Sequence, residues 1–294
     1  MSVIFNFQKL FTILLTVLSI PLLASDYKKE FSKTYPIDAS ALVELNTAFT
    51  NISLENWDKN EVEIFVFVTV DAASEEKANK IFDQIKIDLI GNRSKVEVKT
   101  NIGEQNSKTG NFTINVEIKA PKSVSLIAKN SFGDIILADL EGRAVITNDY
   151  GKISTAALGA SDNQINCTFG SVLISRFGGG QIDGEFGNIR IVEIKGNTTL
   201  NCEYGEVTVN NVEKTCKSLQ INVGFGNCSL EIAENANFSI KATVNMGKAE
   251  LGGKINIKNN ENSWGSGTAS GTIGDGSGTI EVNCSFGNTS ISAR

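Results

Sequence analysis

Histidine is absent from all 294 residues. That removes the side chain that titrates nearest neutral pH, the commonest metal ligand and every His-dependent triad. Only three prolines occur, at positions 21, 36 and 121. The 27 Lys and Arg form no run, and the net charge is a mild −6. A nucleic-acid footprint needs clustered cations to neutralise phosphates, so nucleic acid is not expected as a partner. The five cysteines contain no C-x-x-C pair, and without histidine a zinc site has no ligand set. Beyond the first residues no apolar run is long enough to cross a bilayer.

What is abundant is glycine, 27 residues, with Asn, Ser and Thr frequent around it, the composition of a turn-rich β protein. The opening "MSVIFNFQKLFTILLTVLSIPLLASDYKKE" predicts a secretory signal over residues 1–24. Lys9 is the only charge before the apolar run 10–20, Pro21 breaks it, and Ala24 and Ser25 supply a cleavage site. The alternative, an uncleaved anchor, is disfavoured because the run is short for a bilayer. No Cys lies near the cleavage site, which argues against a lipoprotein anchor. The mature chain is therefore expected to be exported: periplasmic, on the outer cell surface, or secreted.

An aromatic or Met followed by Gly recurs at Phe132, Tyr150, Phe169, Phe186, Tyr204, Phe225, Met246 and Phe286. The spacing stays near 19 residues until the last gap, which is about two periods and includes a Gly/Ser/Asn-rich stretch. With the aromatic as position 0, apolar or small residues fall at −6, −4 and −2, as in Leu219, Ile221 and Val223 before Phe225. After the glycine the inward positions become +3 and +5, as in Val172 and Ile174, with a further apolar residue at +8, such as Phe177. A strand holding its register cannot change parity by one residue, whereas a chain turning a corner can. The fold expected is all-β: a parallel β-solenoid with coils of about 19 residues. An antiparallel sandwich explains the strand spacing but not why alternate strands share one motif. Parity predicts that the aromatics form an internal ladder among the aliphatics, stacked in sequence order at about 4.8 Å per coil.

The solenoid domain is expected over 40–294. "VELNTAFTNISLENW" (43–57) carries the coil pattern around Phe49, with Thr50 in place of Gly. Residues 58–120 are expected to be a small α/β insertion that caps the N-terminal end. Its parts are a strand at 61–70, apolar on both faces, and a helix capped by Ser74 with Ala78, Ile81, Phe82 and Ile85 on one stripe. Two further strands flank a turn at Gly91 and Asn92, and 111–121 leads back into the coils.

Cys167, Cys202 and Cys284 occupy position −2 and Cys228 position +3, both core slots; Cys216 lies in a return segment. Cys167 and Cys202 are two coils apart, roughly 9.6 Å, beyond a disulfide's reach. Buried free thiols are expected, with one disulfide as the alternative. Asp134, Asp149, Asp183, Glu185 and Asp275 lie near corners, without recurring at one phase of the repeat, and read as solvated turns. "GDGSGT" (274–279) occurs once and reads as a flexible loop. Asn51, Asn111 and Asn197 open Asn-x-Ser/Thr triplets, which follow from an Asn/Ser/Thr-rich surface. No catalytic, cofactor or metal residue is singled out.

With "APKSVSLIAKNSFGDIILADLEG" (120–142) and the units "YGKIS", "FGSVLI", "FGNIRI" and "YGEVTV" in view, the chain resembles a Bacteroidetes-type family of exported β-strand-repeat proteins described as candidate adhesins. The resemblance covers roughly 42–294. It implies a parallel β-solenoid at the cell envelope and supplies no catalytic residues. The leading expectation is a non-enzymatic structural or adhesive role, with envelope or surface proteins or glycans as partners. Two other readings stay open: a β-helix-type carbohydrate-active enzyme, whose mark is two or three carboxylates with a Lys or Arg in one groove, and a periplasmic scaffold or sensor in an envelope-stress system.

Overall fold

The structure is a computed structural model and describes residues 25–103, 112–263 and 265–294; the predicted leader and Asn111 lie outside the described residues. These residues form a parallel β-solenoid built from a 13-stranded and a 12-stranded sheet. In a typical coil the strand ending on the aromatic joins the first sheet, and the strand beginning after the glycine joins the second. The Tyr150 coil, for example, contributes Ala144–Tyr150 and Ile153–Leu158. Neighbouring coils pair in register: Tyr150 lies beside Phe132 on one side and Phe169 on the other. The core lies between the sheets. Ala144, Ile146, Ile153 and Leu158 are fully buried in this coil, and the positions of Ile146 and Ile153 are buried in the other aromatic-bearing coils as well.

The glycine at each corner is required twice over. From Gly133 to Gly287 these residues have φ between +121° and +157°, a region side chains rarely adopt. A Cβ on Gly187 would also lie 1.8 Å from the carbonyl oxygen of Gly170, the equivalent corner of the coil before. That closeness keeps the hydrogen-bond ladder continuous through the corner, where the Gly187 N–H donates to the Tyr204 carbonyl at 2.9 Å. Position −2 points inward at the same corner. Asn148 Nδ2 donates to the Gly133 carbonyl at 3.0 Å, and Cys202 and Cys284 Sγ donate to the carbonyls of Gly187 and Gly226 at 3.5 and 3.4 Å. A short donor there satisfies a buried carbonyl, which gives Asn and Cys a reason to occupy a core slot.

Two expectations are corrected. The aromatics stack, but not inside: the seven rings from Phe132 to Phe286 are 39–46% exposed. Period-two parity holds only while the strand runs straight, and position 0 is where the chain turns. The ring swings to the outer rim while position −2 fills the interior. Nor does stacking follow sequence order. The Phe286 coil lies between the Phe225 and Met246 coils, because Ser218–Phe225 and Phe238–Met246 both pair with Gly278–Phe286 rather than with each other.

At the N-terminal end, Leu42–Thr47 and Thr50–Asn56 form the Phe49 coil; here Phe49 itself takes φ +54° and Thr50 is buried. Within 58–120, Lys95–Ile102 and Phe112–Ala120 pair in parallel with these two strands and so make another coil in phase. Antiparallel strands lie outside it. Ile85–Gly91 pairs with Lys95–Ile102, and Ser25–Pro36 with Glu61–Ala72, which in turn pairs with Phe112–Ala120. The helix runs over Glu75–Phe82, with Ser74 Oγ accepting from the Lys77 N–H. It stops at the Asp83 cap, so Ile85 begins the next strand instead of extending the helical stripe. The strand at 61–70 buries Val62, Ile64, Val66, Val68 and Val70, while Phe65 and Phe67 on its other face are half-buried.

The C-terminal end closes with the antiparallel hairpin Asn256–Ser263 and Ser266–Ile273 on Phe238–Met246. The Asn262 amide pairs with both the N–H and the C=O of Ala249, at 3.0 and 3.1 Å, and so stands in for a neighbouring strand at that sheet edge.

Candidate functional site

The corner geometry sets one aromatic per coil on the rim, at the inter-strand spacing. Phe49, Phe132, Tyr150, Phe169, Phe186, Tyr204, Phe225 and Phe286 form one stack with centroid separations of 4.6–5.0 Å. Beyond Phe49 the planes lie within 8° of one another. Seven steps of about 4.8 Å make a strip on the order of 34 Å long. Phe112 meets Phe49 edge-on at 5.9 Å, and Met246 is paired with Phe286 at the other end. Each ring's faces are covered by its neighbours, so the strip offers edges. A sugar ring, which stacks on an aromatic face, finds no free face along its length.

Beside the strip runs a shallow trough of about 460 Å³. It crosses four coils, the Phe186, Tyr204, Phe225 and Phe286 coils, at positions −3 to −1. Position −3 forms an outward amide ladder. Asn201 Nδ2 donates to Asp183 Oδ1 at 2.6 Å, Asn222 Nδ2 to Asn201 Oδ1 at 2.8 Å, and Asn283 Nδ2 to Asn222 Oδ1 at 3.2 Å. Position −1 supplies Glu185, Glu203, Gly224 and Ser285. Glu185 and Glu203 are exposed on adjacent coils, brought alongside by the Gly184–Cys202 register. Asp183 also accepts from Gln181 Nε2 at 3.0 and 2.8 Å, so its oxygens are occupied by amides. The residues lining the trough include no Lys or Arg.

The other singled-out residues are dispersed. Asp134 Oδ1 caps the Lys152 N–H at 2.8 Å, one rung of a corner series in which Asn188, Asn227 and Asn288 cap the N–H of Glu206, Asn288 and Lys248. Asp149 lies on the rim of the Tyr150 coil, away from the trough. Asp275 sits in a hydrogen-bonded turn: its Oδ1 accepts from the Ser277 N–H at 2.9 Å, which lowers its pKa, and Asn237 Oδ1 accepts from the Asp275 N–H at 3.1 Å. Asn51 and Asn197 use their side chains within the surface ladders.

All five cysteines are buried and free. Burial pushes the thiols of Cys167, Cys202 and Cys216 up to about 11 and that of Cys228 to about 12, and it raises Cys284 as well. Such thiols are poor nucleophiles at neutral pH. Among the described residues no group of three or more Cys, Asp or Glu could hold a metal ion, and no helix is long and apolar enough to cross a membrane.

The amide ladder and Glu203 escaped the sequence reading, although the signal is visible. "NCEYG", "NVGFG" and "NCSFG" place Asn at −3 three times, and, against the expectation that the acidic residues recur at no one phase, Asp149 and Glu185 share position −1 with Glu203.

A family model described as Toastrack DUF4097 matches residues 43–292. Among curated proteins none matches the chain. Several solved structures do. One is a candidate adhesin from Bacteroides fragilis, 13% identical, covering 90% of this chain and 97% of that one with a TM-score of 0.38. Another is a candidate lipid-binding protein from Parabacteroides distasonis, 12% identical over 90% and 96% of the two chains, TM-score 0.36. A candidate cell adhesion protein from Clostridium sporogenes is 13% identical over 91% and 100%, TM-score 0.26.

Proposed function

The chain belongs to the Toastrack DUF4097 family, and on that premise we propose that it is a non-enzymatic, exported β-solenoid with an adhesive or structural role at the bacterial cell envelope. The observation that carries this reading is the rim: a continuous strip of exposed ring edges beside a trough of amides and carboxylates. Repetition at the strand spacing spreads binding groups over several coils, where a partner must itself be extended. A polymer or a cell-surface layer fits that demand, and a small substrate does not. The adhesin descriptions of similar structures agree with this reading. Within 58–120, Glu61–Ala72 and Ile85–Gly91 serve it, together with Ser25–Pro36, by covering the N-terminal end of the parallel stack with antiparallel strands.

The enzymatic alternative has one observation in its favour, the adjacent Glu185 and Glu203. Two carboxylates without a nearby cation on a shallow surface lack a means of excluding water and positioning a sugar.

The deciding experiment presents the protein, purified without residues 1–24, to isolated envelopes, glycan arrays and matrix components, with a polysaccharide panel assayed for turnover alongside. Saturable binding without turnover is expected. Failure to bind any surface removes the adhesive role. Turnover abolished by Glu185→Gln or Glu203→Gln replaces it with the enzyme.

A further inference from the structure

The coil made by Gly278–Phe286 and Thr289–Ala293 follows the Met246 coil in sequence, yet it precedes it in the stack. It is wedged between the Phe225 and Met246 coils and pairs in register with both. Phe286 lies beside Phe225 and Met246, and Thr289 lies beside Cys228 and Ala249. Among the described residues the Met246 coil and its closing hairpin reach the rest of each sheet only through this wedge. The contact is close on both sides: a Cβ on Gly287 would lie 1.8 Å from Gly226 O, and one on Gly247 1.8 Å from Gly287 O.

Such a slot has strict requirements. It takes a strand, a glycine corner and a second strand, with small or apolar residues inward and an aromatic on the rim. Ile280, Val282, Cys284, Phe286, Gly287, Thr289 and Ile291 meet them in the wedge. An identical wedge exists on every other copy of the chain. The wedge is also lightly held at both ends. One, at Arg294, is an exposed ion pair to Glu231. The other is the four-residue turn 274–277, which has positive φ at Gly274 and Gly276 and exposes Gly274, Asp275 and Ser277. Opening this turn frees the wedge from the strands on both sides until a wedge from the same or another copy fills the slot, and short turns of this kind favour exchange between copies.

We propose that the C-terminal coil is an exchangeable arm, and that the slot between the Phe225 and Met246 coils accepts the same coil from a second copy of this chain. Reciprocal exchange preserves every strand pair of the monomer and joins two copies at their C-terminal ends. Exchanged and unexchanged forms contain the same contacts, so concentration during folding selects between them.

The test uses the mature chain carrying Asn222→Cys and Asn283→Cys, positions paired across the wedge with their amides in contact. It is unfolded under reduction, refolded at about 1 µM or about 100 µM, and then oxidised; mass action favours exchange at the higher concentration. The expected result is a covalent monomer at low concentration and, at high concentration, a covalent dimer whose only new bond joins position 222 of one copy to 283 of the other by peptide mapping. Refolded wild-type chain, sized by light scattering and then diluted, is the second measurement should the cysteine variant fail to fold. A dimer that persists on dilution supports exchange. Monomer alone at both concentrations, or a 222–283 bond that stays within one chain at both, overturns it.

Discussion

Phe286 stacks on Phe225 at 4.6 Å with planes 3° apart, although the whole Met246 coil lies between them in sequence. The rim records the order of coils in space, and that order differs from the order of synthesis. Thr243 pairs with Asn283, whereas Asn222 is a further strand away, roughly 9.6 Å. A Thr243→Cys/Asn283→Cys pair is therefore expected to close under mild oxidation, and an Asn222→Cys/Thr243→Cys pair to stay open. Non-reducing mass spectrometry of the two variants reads the stacking order directly. Closure of the second pair alone would restore the sequential order.

The corner glycines set the tolerance of the fold. Gly187→Ala places a Cβ against the Gly170 carbonyl at a φ of +145°. A loss of about 3 kcal/mol or more is expected in urea melts. Gly252→Ala, where an added Cβ meets nothing within 4 Å, is the control and should shift stability by less than about 0.5 kcal/mol.

Thr155 and Thr289 bury hydroxyls that have no hydrogen-bond partner. Replacing each by Val keeps the branched shape and removes a desolvated polar group. Each substitution is expected to raise stability by about 1 kcal/mol. Calorimetry of the single variants checks this, and destabilisation by either would show that its hydroxyl is satisfied in solution.

Alkaline pH should unfold the protein through its cysteines. Their folded-state pKa values, about 11 to 12 for the four most shifted, lie above the value near 8.5 of an unfolded chain. Between these values the unfolded state binds fewer protons than the folded state, so stability falls as pH rises. The contribution is complete below about pH 8.5 and is lost as pH climbs through 11 to 12. Urea midpoints at pH 7.5 and pH 10 measure this, with a Cys167→Ala/Cys202→Ala variant expected to show a smaller drop. A thiol reagent should find no reactive cysteine in the native protein at pH 7.5 and all five after denaturation.

The repeat was legible because the coils obey similar local demands: mostly apolar or small residues at −6, −4 and −2, glycine at the corner, mostly apolar residues at +3 and +5. Position 0 was misassigned because alternation describes a straight strand and says nothing of a residue on a bend; Tyr150 follows the inward parity of Ile146 and Asn148 and still faces out. The wedge was illegible for a different reason. Ile280, Val282 and Cys284 satisfy the pattern as well as Ile240, Ala242 and Val244 do, and equivalent repeats carry no information about which stacks on which. The coil at Lys95–Ile102 and Phe112–Ala120 was missed because it lacks the aromatic–glycine pair. Of the candidate site, Asp183 and Glu185 were noticed and Asn201, Asn222 and Glu203 were not; the shared positions −3 and −1 stand in the sequence, but that they touch across coils shows only once the coils are stacked.

The central claim is that the rim is the working surface. It is tested most directly by titrating the mature protein and a Phe186→Lys variant, matched by circular dichroism and thermal midpoint, against the same isolated envelopes. Phe186 lies mid-strip and helps flank the trough, so a charge there interrupts the strip where both features meet. The account predicts at least about a tenfold loss of affinity, the scale of a central interface residue. Unchanged affinity in the folded variant would contradict it.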